Sequence, residues 1–180
     1  MTRRNGQPSA IQVIPSARRL IGSLRDLGYE FPQAVADLVD NSVTAGARNV
    51  EIALEFAKTR VQGGKTIIEH PTVAHQLGEM ASLIEAARAV SIQAAWMADQ
   101  PDYDSQRGLL ASIFASDVGP KVCNLALQLL GGHGYMREMG LEKILRDALM
   151  CYHIDGTSDM HRVKIGEMLS GVSTGGYISE

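Results

Sequence analysis

The side chains with most chemistry to offer lie in one stretch, Gln128 to Thr157, which reads QLLGGHGYMREMGLEKILRDALMCYHIDGT. An apolar run ends in the glycine pair Gly131-Gly132, a short amphipathic segment with Arg146-Asp147 follows, and Asp155 then stands before Gly156-Thr157. A carboxylate can take a proton from carbon when it sits close to that carbon and is partly desolvated, which raises its pKa toward the working range. Paired glycines permit positive φ and close approach of a ligand to the backbone. Outside the stretch, Arg60 offers a guanidinium fork. Asp37 and Asn41 are spaced four apart, which puts both on one face of a helix.

Each feature also has a plain structural explanation. Gly131-Gly132 serves as a helix C-cap, and Asp155 or Thr157 as the N-cap of a last helix. Arg60 and Gln128 serve as solvated surface side chains, and Arg146 with Asp147 as an ion pair or cap. His133, His153 and His161 read as surface or loop residues. The methionines at 80, 97, 136, 139, 150, 160 and 168 read as core or helix-interface filler. Taken singly, the plain explanation outweighs the chemical one; order and spacing together tip the balance.

The elements that must hold these groups are helical. From Pro71 to Ala98 the residues Val73, Leu77, Met80, Ile84, Ala87, Ser91, Ala94 and Ala98 recur at alternating spacings of four and three. That is a heptad-like seam on a helix about 40 Å long at 1.5 Å per residue. A second long helix is predicted from about Tyr103 to Leu130, with Leu110, Phe114, Val118, Val122, Leu125 and Leu129 inward and a kink at Gly119-Pro120. Shorter helices are predicted over Leu141–Met150 and Ser158–Leu169. Upstream, Pro15 and Pro32 each open a short helix; Gly28 stops the first and Ala45-Gly46 breaks the second. Asn49–Phe56 fits either a strand or a helix running on to Arg60.

The 180 residues suffice for one domain or two small ones, and 45% apolar content suffices for a core. A net charge of −3 gives no reason to expect nucleic acid or an anionic membrane surface. Two cysteines, Cys123 and Cys151, make no disulfide framework, and no metal-ligand spacing appears. No leader or membrane span is legible, so the expectation is a cytoplasmic protein. All five lysines lie beyond Phe56, which suggests two segments of different origin. The expected division is a disordered leader at 1–10, a helical attachment at 11–44, a bundle at 45–169 and a flexible tail at 170–180.

Four motifs occur in order: FAKTRVQGGKTIIEHPTVAHQLGEMA, ALQLLGGHGY, EKILRDA and IDGTSDMHRVKIGEML. Over residues 56–169 the chain resembles the C-terminal helical domain of the acyl-CoA dehydrogenases. The resemblance implies an all-α, four-helix up-and-down bundle and FAD as cofactor. It implies oxidation of an acyl-CoA thioester: the α-proton is abstracted and the β-hydride passes to flavin. Asp155 falls at the place of the catalytic base, Arg60 at the pyrophosphate of a neighbouring subunit's FAD, and Gln128, Gly131 and Gly132 at its adenine half. Thr157 and Asp159 match positions near the FAD of the same subunit. The family more often has glutamate at position 155; aspartate is one methylene shorter, and a displacement of about 1 Å can cost about a hundredfold in rate. At position 159 the family more often has an uncharged polar residue.

Residues 13–55 have a second likeness, to the opening of a GHKL-type ATPase domain. It rests on Asp37-Leu-Val-Asp40-Asn41 and would make Asp37 the water-activating acid and Asn41 the magnesium ligand. The Asp-x-Gly-x-Gly motif and the glycine-rich lid of that family are absent from the sequence given, so an ordinary amphipathic helix is preferred. The expectation is therefore a flavin-linked oxidoreductase domain that forms a homodimer or homotetramer. It carries about half a site, because the family's N-terminal helical and β-barrel domains are not represented. The alternatives are an inactive oligomerisation module or remnant, and a partial ATP-binding module.

Overall fold

The computed structural model describes residues 31–102, 105–154 and 156–175, with side chains described from Val43 onward except that of Ala45. The expected leader, the helix opened by Pro15, and Asp155 fall outside the described residues. So do the side chains of Asp37, Asp40 and Asn41.

Helix α1, Phe31–Thr59, is one continuous helix of 29 residues. The break expected at Ala45-Gly46 and the strand alternative for Asn49–Phe56 are both corrected. Val43, Gly46, Asn49, Ala53 and Ala57 are buried, at spacings of three and four, so the inward face follows helical periodicity. Gly46 is a packing glycine: a Cβ there would stand 3.4 Å from Ile84 Cδ1 and 3.8 Å from Val122 Cγ1.

The link to the next helix is a hairpin. Strands β1 (Val61–Gln62) and β2 (Lys65–Thr66) pair antiparallel, with Val61 opposite Thr66 and Gln62 opposite Lys65. Gly63 and Gly64 between them have φ of +63° and +81°, the conformation that a tight two-residue turn requires. A 3-10 turn over Ile67–Glu69 then leads into α2, Pro71–Ala98. Met80, Ile84, Ala87 and Ala94 of its predicted seam are buried.

Helix α3, Ser105–Leu130, runs through Pro120. Its buried face is Leu109, Ser112, Ala115, Ser116, Gly119, Cys123 and Ala126, together with Val118 and Val122. Leu110 and Phe114, expected inward, are exposed. Small residues line the contact because α1 and α2 approach closely, which turns these two bulky neighbours outward. The core joins the three long helices through Val43, Ala53, Met80, Ile84, Ala87, Val118, Val122 and Leu130, and Leu141 completes it.

Contacts set the directions. Gly46 meets Ile84 and Val122, Lys121 pairs with Glu79 at 2.9 Å, and Phe56 meets His133. The hairpin returns α2 along α1 in the opposite direction, while the Gly46–Val122 and Phe56–His133 contacts set α3 parallel to α1, so α2 runs against both. A short α4 (Gly132–Tyr135), a 3-10 turn (Arg137–Met139), α5 (Leu141–Leu149) and a second 3-10 turn (Met150–Tyr152) follow. Helix α6, Ser158–Ser170, lies against α3. Ser158 meets Ser116 and His161 meets Ser112, so α6 antiparallels α3 and completes an up-and-down bundle. The start of the expected tail is tied back: Thr174 N and Oγ1 both donate to Glu167 Oε1, at 2.6 and 2.7 Å.

Candidate functional site

Arg60, Gln128, Gly131, Gly132, Thr157 and Asp159 fall into two groups, one at the C-terminal end of α3 and one level with its middle. The first group gathers where α3 and α1 end. Gly131 has φ +57° and ψ −134°, and its N–H donates to the Gln128 carbonyl at 3.1 Å. The chain then folds back so tightly that a Cβ on Gly134 would stand 2.7 Å from the Leu127 carbonyl oxygen. Gln128, Gly131 and Gly132 face outward, and a Cβ at either glycine 131 or 132 would meet nothing within 4 Å. This stretch of backbone is open to a ligand.

The Phe56 and His133 rings, 5.4 Å apart and tilted by 48°, fasten this turn to the end of α1. Arg60 sits one turn beyond Phe56; its N–H donates to the Phe56 carbonyl at 2.9 Å, and its carbonyl accepts from Ile67 N at 2.8 Å. The backbone of Arg60 is therefore fixed by α1 and the hairpin, while its side chain is exposed. Among the described residues no carboxylate forms an ion pair with Arg60. An open cleft of about 450 Å³ beside it is lined by Glu51, Ile52, Glu55, Phe56, Thr59 and Met139.

The second group surrounds the start of α6, level with Ser116. Twelve residues of α3 separate Ser116 from Gln128, a distance of about 18 Å at 1.5 Å per residue. Here Thr157 takes the plain role foreseen for it: its Oγ1 accepts from Met160 N at 3.2 Å as the N-cap. That bond leaves the hydroxyl hydrogen able to donate outward. Asp159 is 94% exposed and pairs with Arg162 Nη1 at 3.3 Å. Arg162 Nη2 also bonds both oxygens of Asp117 at 2.7 Å. A pocket of about 350 Å³ is lined by Tyr152, His153, Thr157, Ser158, Asp159 and Arg162. Burial, and then the Asp117 charge, push the Tyr152 phenol above its ordinary pKa. The hydrogen bond to Asp117 raises the Arg162 guanidinium further.

Behind Ser158, which lines this pocket, lies a buried polar cluster that the sequence did not signal. Ser112, Ser116, Ser158 and His161 are all buried; Ser158 Oγ donates to Ser116 Oγ at 3.1 Å, and Ser112 Oγ lies 3.4 Å from His161 Nδ1. His161, expected at the surface, is a correction. Its only sequence signal was its spacing three beyond Ser158, on the face that meets α3. Arg146 and Asp147 do not pair with each other: Lys143 holds Asp147 at 2.5 Å and Glu142 holds Arg146 at 3.1 Å. Of the methionines expected as filler, Met80 is buried, whereas Met136, Met150 and Met168 are exposed. Neither cysteine forms a disulfide. Among the described residues no cluster could hold a metal, and no helix is long and apolar enough to cross a membrane.

With this geometry in hand, comparison with known proteins is specific. The acyl-CoA dehydrogenase C-terminal domain family matches residues 39–170, a span that begins inside α1. The chain is 36% identical to the probable acyl-CoA dehydrogenase YngJ of Bacillus subtilis over 120 residues, covering 67% of this chain and 32% of that protein. Its fold superposes on butyryl-CoA dehydrogenase of Megasphaera elsdenii with a TM-score of 0.74 at 27% identity, over 77% of this chain and 36% of that one. The FAD complex of PigA matches with a TM-score of 0.67 at 28% identity, over 72% of this chain and 34% of that one. The chain thus spans between 32% and 42% of the curated relatives it matches.

Proposed function

The chain belongs to the acyl-CoA dehydrogenase family through its C-terminal helical domain, and from that premise we propose that it works as the helical part of a flavin-linked oxidoreductase acting on an acyl-CoA thioester. The observation that carries the reading is the end of the bundle where an exposed Arg60, which pairs with no carboxylate among the described residues, and the open Gly131-Gly132 backbone are fastened together through Phe56 and His133. These residues fit FAD. A guanidinium fork suits a pyrophosphate, and glycine backbone free of Cβ obstruction admits the adenine half beside Gln128. When bound, FAD supplies the acceptor for the hydride that leaves the substrate β-carbon.

The chain's own groups divide the remaining work. Asp155 is the base that takes the α-proton of the thioester. Thr157 would donate its hydroxyl hydrogen to a flavin, since its oxygen is already taken by the α6 cap. Asp159 contributes less, because Arg162 already engages it. The separation of about 18 Å between the two groups along α3 suits two different FAD molecules. Arg60 and Gln128 would hold the cofactor of a neighbouring subunit, and Thr157 would hold that of its own. The protein accordingly acts as a homodimer or homotetramer.

Purified chain mixed with FAD and an acyl-CoA in deuterated water tests the chemistry. Solvent deuterium should enter the acyl α-carbon, and Asp155→Ala should abolish that exchange with the flavin still bound. Unchanged exchange in Asp155→Ala would remove the residue from its role.

A further inference from the structure

Helix α2 is apolar on two sides, and the fold covers one of them. Met80, Ile84, Ala87 and Ala94 are buried. The opposite face carries Gly78, Ala81, Glu85, Ala89, Ile92 and Trp96, at spacings of three and four and all exposed. Ile92 and Trp96 are the bulkiest of these, each 63% exposed. A helix that is apolar all round is ordinarily covered on both sides, and exposed apolar surface on this scale marks a contact site.

The order of side chains along this face fits a second copy of itself. The C-terminal half is bulky, with Ile92 and Trp96; the N-terminal half is small, with Ala74, Gly78 and Ala81. Between the halves stand Glu85 and Arg88, an exposed pair of opposite charge. Consider a second α2 laid antiparallel, with a two-fold axis level with Ala86-Ala87. Ile92 then comes over Ala81 of the second copy, and Trp96 between its Ala74 and Gly78. Glu85 faces Arg88 of the second copy, so each carboxylate gains a second guanidinium, and opposite charges fix the register. Laid parallel, the copies would set Trp96 against Trp96 and Glu85 against Glu85. The face from Ala74 to Trp96 is about 33 Å long at 1.5 Å per residue. Spacings of three and four suit a shallow crossing of about 20°, which keeps two helices in contact over such a length.

Gly78 supports the same arrangement. It lies inside α2, where glycine weakens a helix relative to alanine. Its φ is not positive, and a Cβ there would meet nothing within 4 Å. Nothing in the described residues of its own chain calls for glycine at this position; the Trp96 ring of a second copy does.

We propose that the outer face of α2 is an isologous contact between two copies of this chain, self-complementary as a two-fold requires. It names one surface of the homo-oligomer proposed above, but it rests on neither flavin nor thioester.

Sedimentation equilibrium and tryptophan fluorescence of the purified chain without flavin test it. Trp96 is the only tryptophan, so its emission reads the contact directly. On dilution the mass should fall and the emission should shift to the red together. Trp96→Glu and Gly78→Leu should each halve the mass of the assembly, with unchanged far-ultraviolet circular dichroism. Glu85→Arg sets like charges across the axis and should weaken association by at least about tenfold. Glu85→Arg combined with Arg88→Glu restores the alternation and should recover most of the loss. If either apolar-face variant fails to fold, the charge-swapped set decides alone. A parent chain that is monomeric at every concentration, or a double variant as weak as Glu85→Arg, would overturn the proposal. So would a mass that no folded variant changes, which would leave the face to some other occupant. Should the assembly respond as expected while FAD does not bind, the enzyme reading fails and the contact stands. Should FAD bind while the variants leave the mass unchanged, the contact fails and the enzyme reading stands.

Discussion

At the scale of single residues, the Thr157 hydroxyl caps α6, and Asn49 and Cys123 make a buried contact between α1 and α3. Thr157→Ala should cost about 1 kcal/mol by loss of the α6 cap, read as a lower urea midpoint, and Thr157→Ser should restore it. Asn49 is fully buried and donates through Nδ2 to Cys123 Sγ. Burial pushes the Cys123 thiol up from 9.0 to about 11. A folded pKa above the unfolded one means that the protonated thiol stabilises the fold below about pH 9, and that this stability is lost as pH rises through about 11. The loss is on the order of 2–3 kcal/mol. Unfolding free energy measured across that range should fall less steeply in Cys123→Ala; parallel curves would contradict the assignment.

At the scale of elements, glycine does opposite things at nearby positions. Gly134→Ala drives a methyl into the Leu127 carbonyl oxygen and should destabilise by about 1–3 kcal/mol. Gly132→Ala, with nothing within 4 Å, should leave the melting temperature almost unchanged. Calorimetry on the two variants separates them, and equal losses would contradict the packing described here. The same ambiguity limited what could be read in advance. The α2 seam was legible because its large residues recur at helical spacing and nothing else competes for the face. Gly46 looked like a break because sequence does not distinguish a glycine that ends a helix from one that lets two helices touch. Leu110 and Phe114 misled for a related reason: α3 buries its small residues, and hydrophobic size points to the wrong side. In the site, Gly131-Gly132 and Thr157 were legible as turn and cap. His161 was not, because its burial depends on Ser112, 49 positions away.

At the scale of the whole molecule, the chain presents an open end, proposed above to take flavin, that it does not enclose. Arg60, Gln128 and the glycine pair face outward, and apolar side chains such as Ile92 and Trp96, one turn apart on α2, are 63% exposed. The proposed function explains both features if copies of the chain associate around flavin. Sedimentation should give a mass of two or four times 19.4 kDa, and a monomer at every concentration would exclude the shared cofactor. The most direct measurement is size-exclusion chromatography of the purified chain with FAD, with visible absorbance followed across the protein peak. The account predicts that flavin travels with the oligomer and is lost from Arg60→Ala, which keeps its fold. Flavin eluting apart from a folded parent chain, or binding equally to Arg60→Ala, would contradict it.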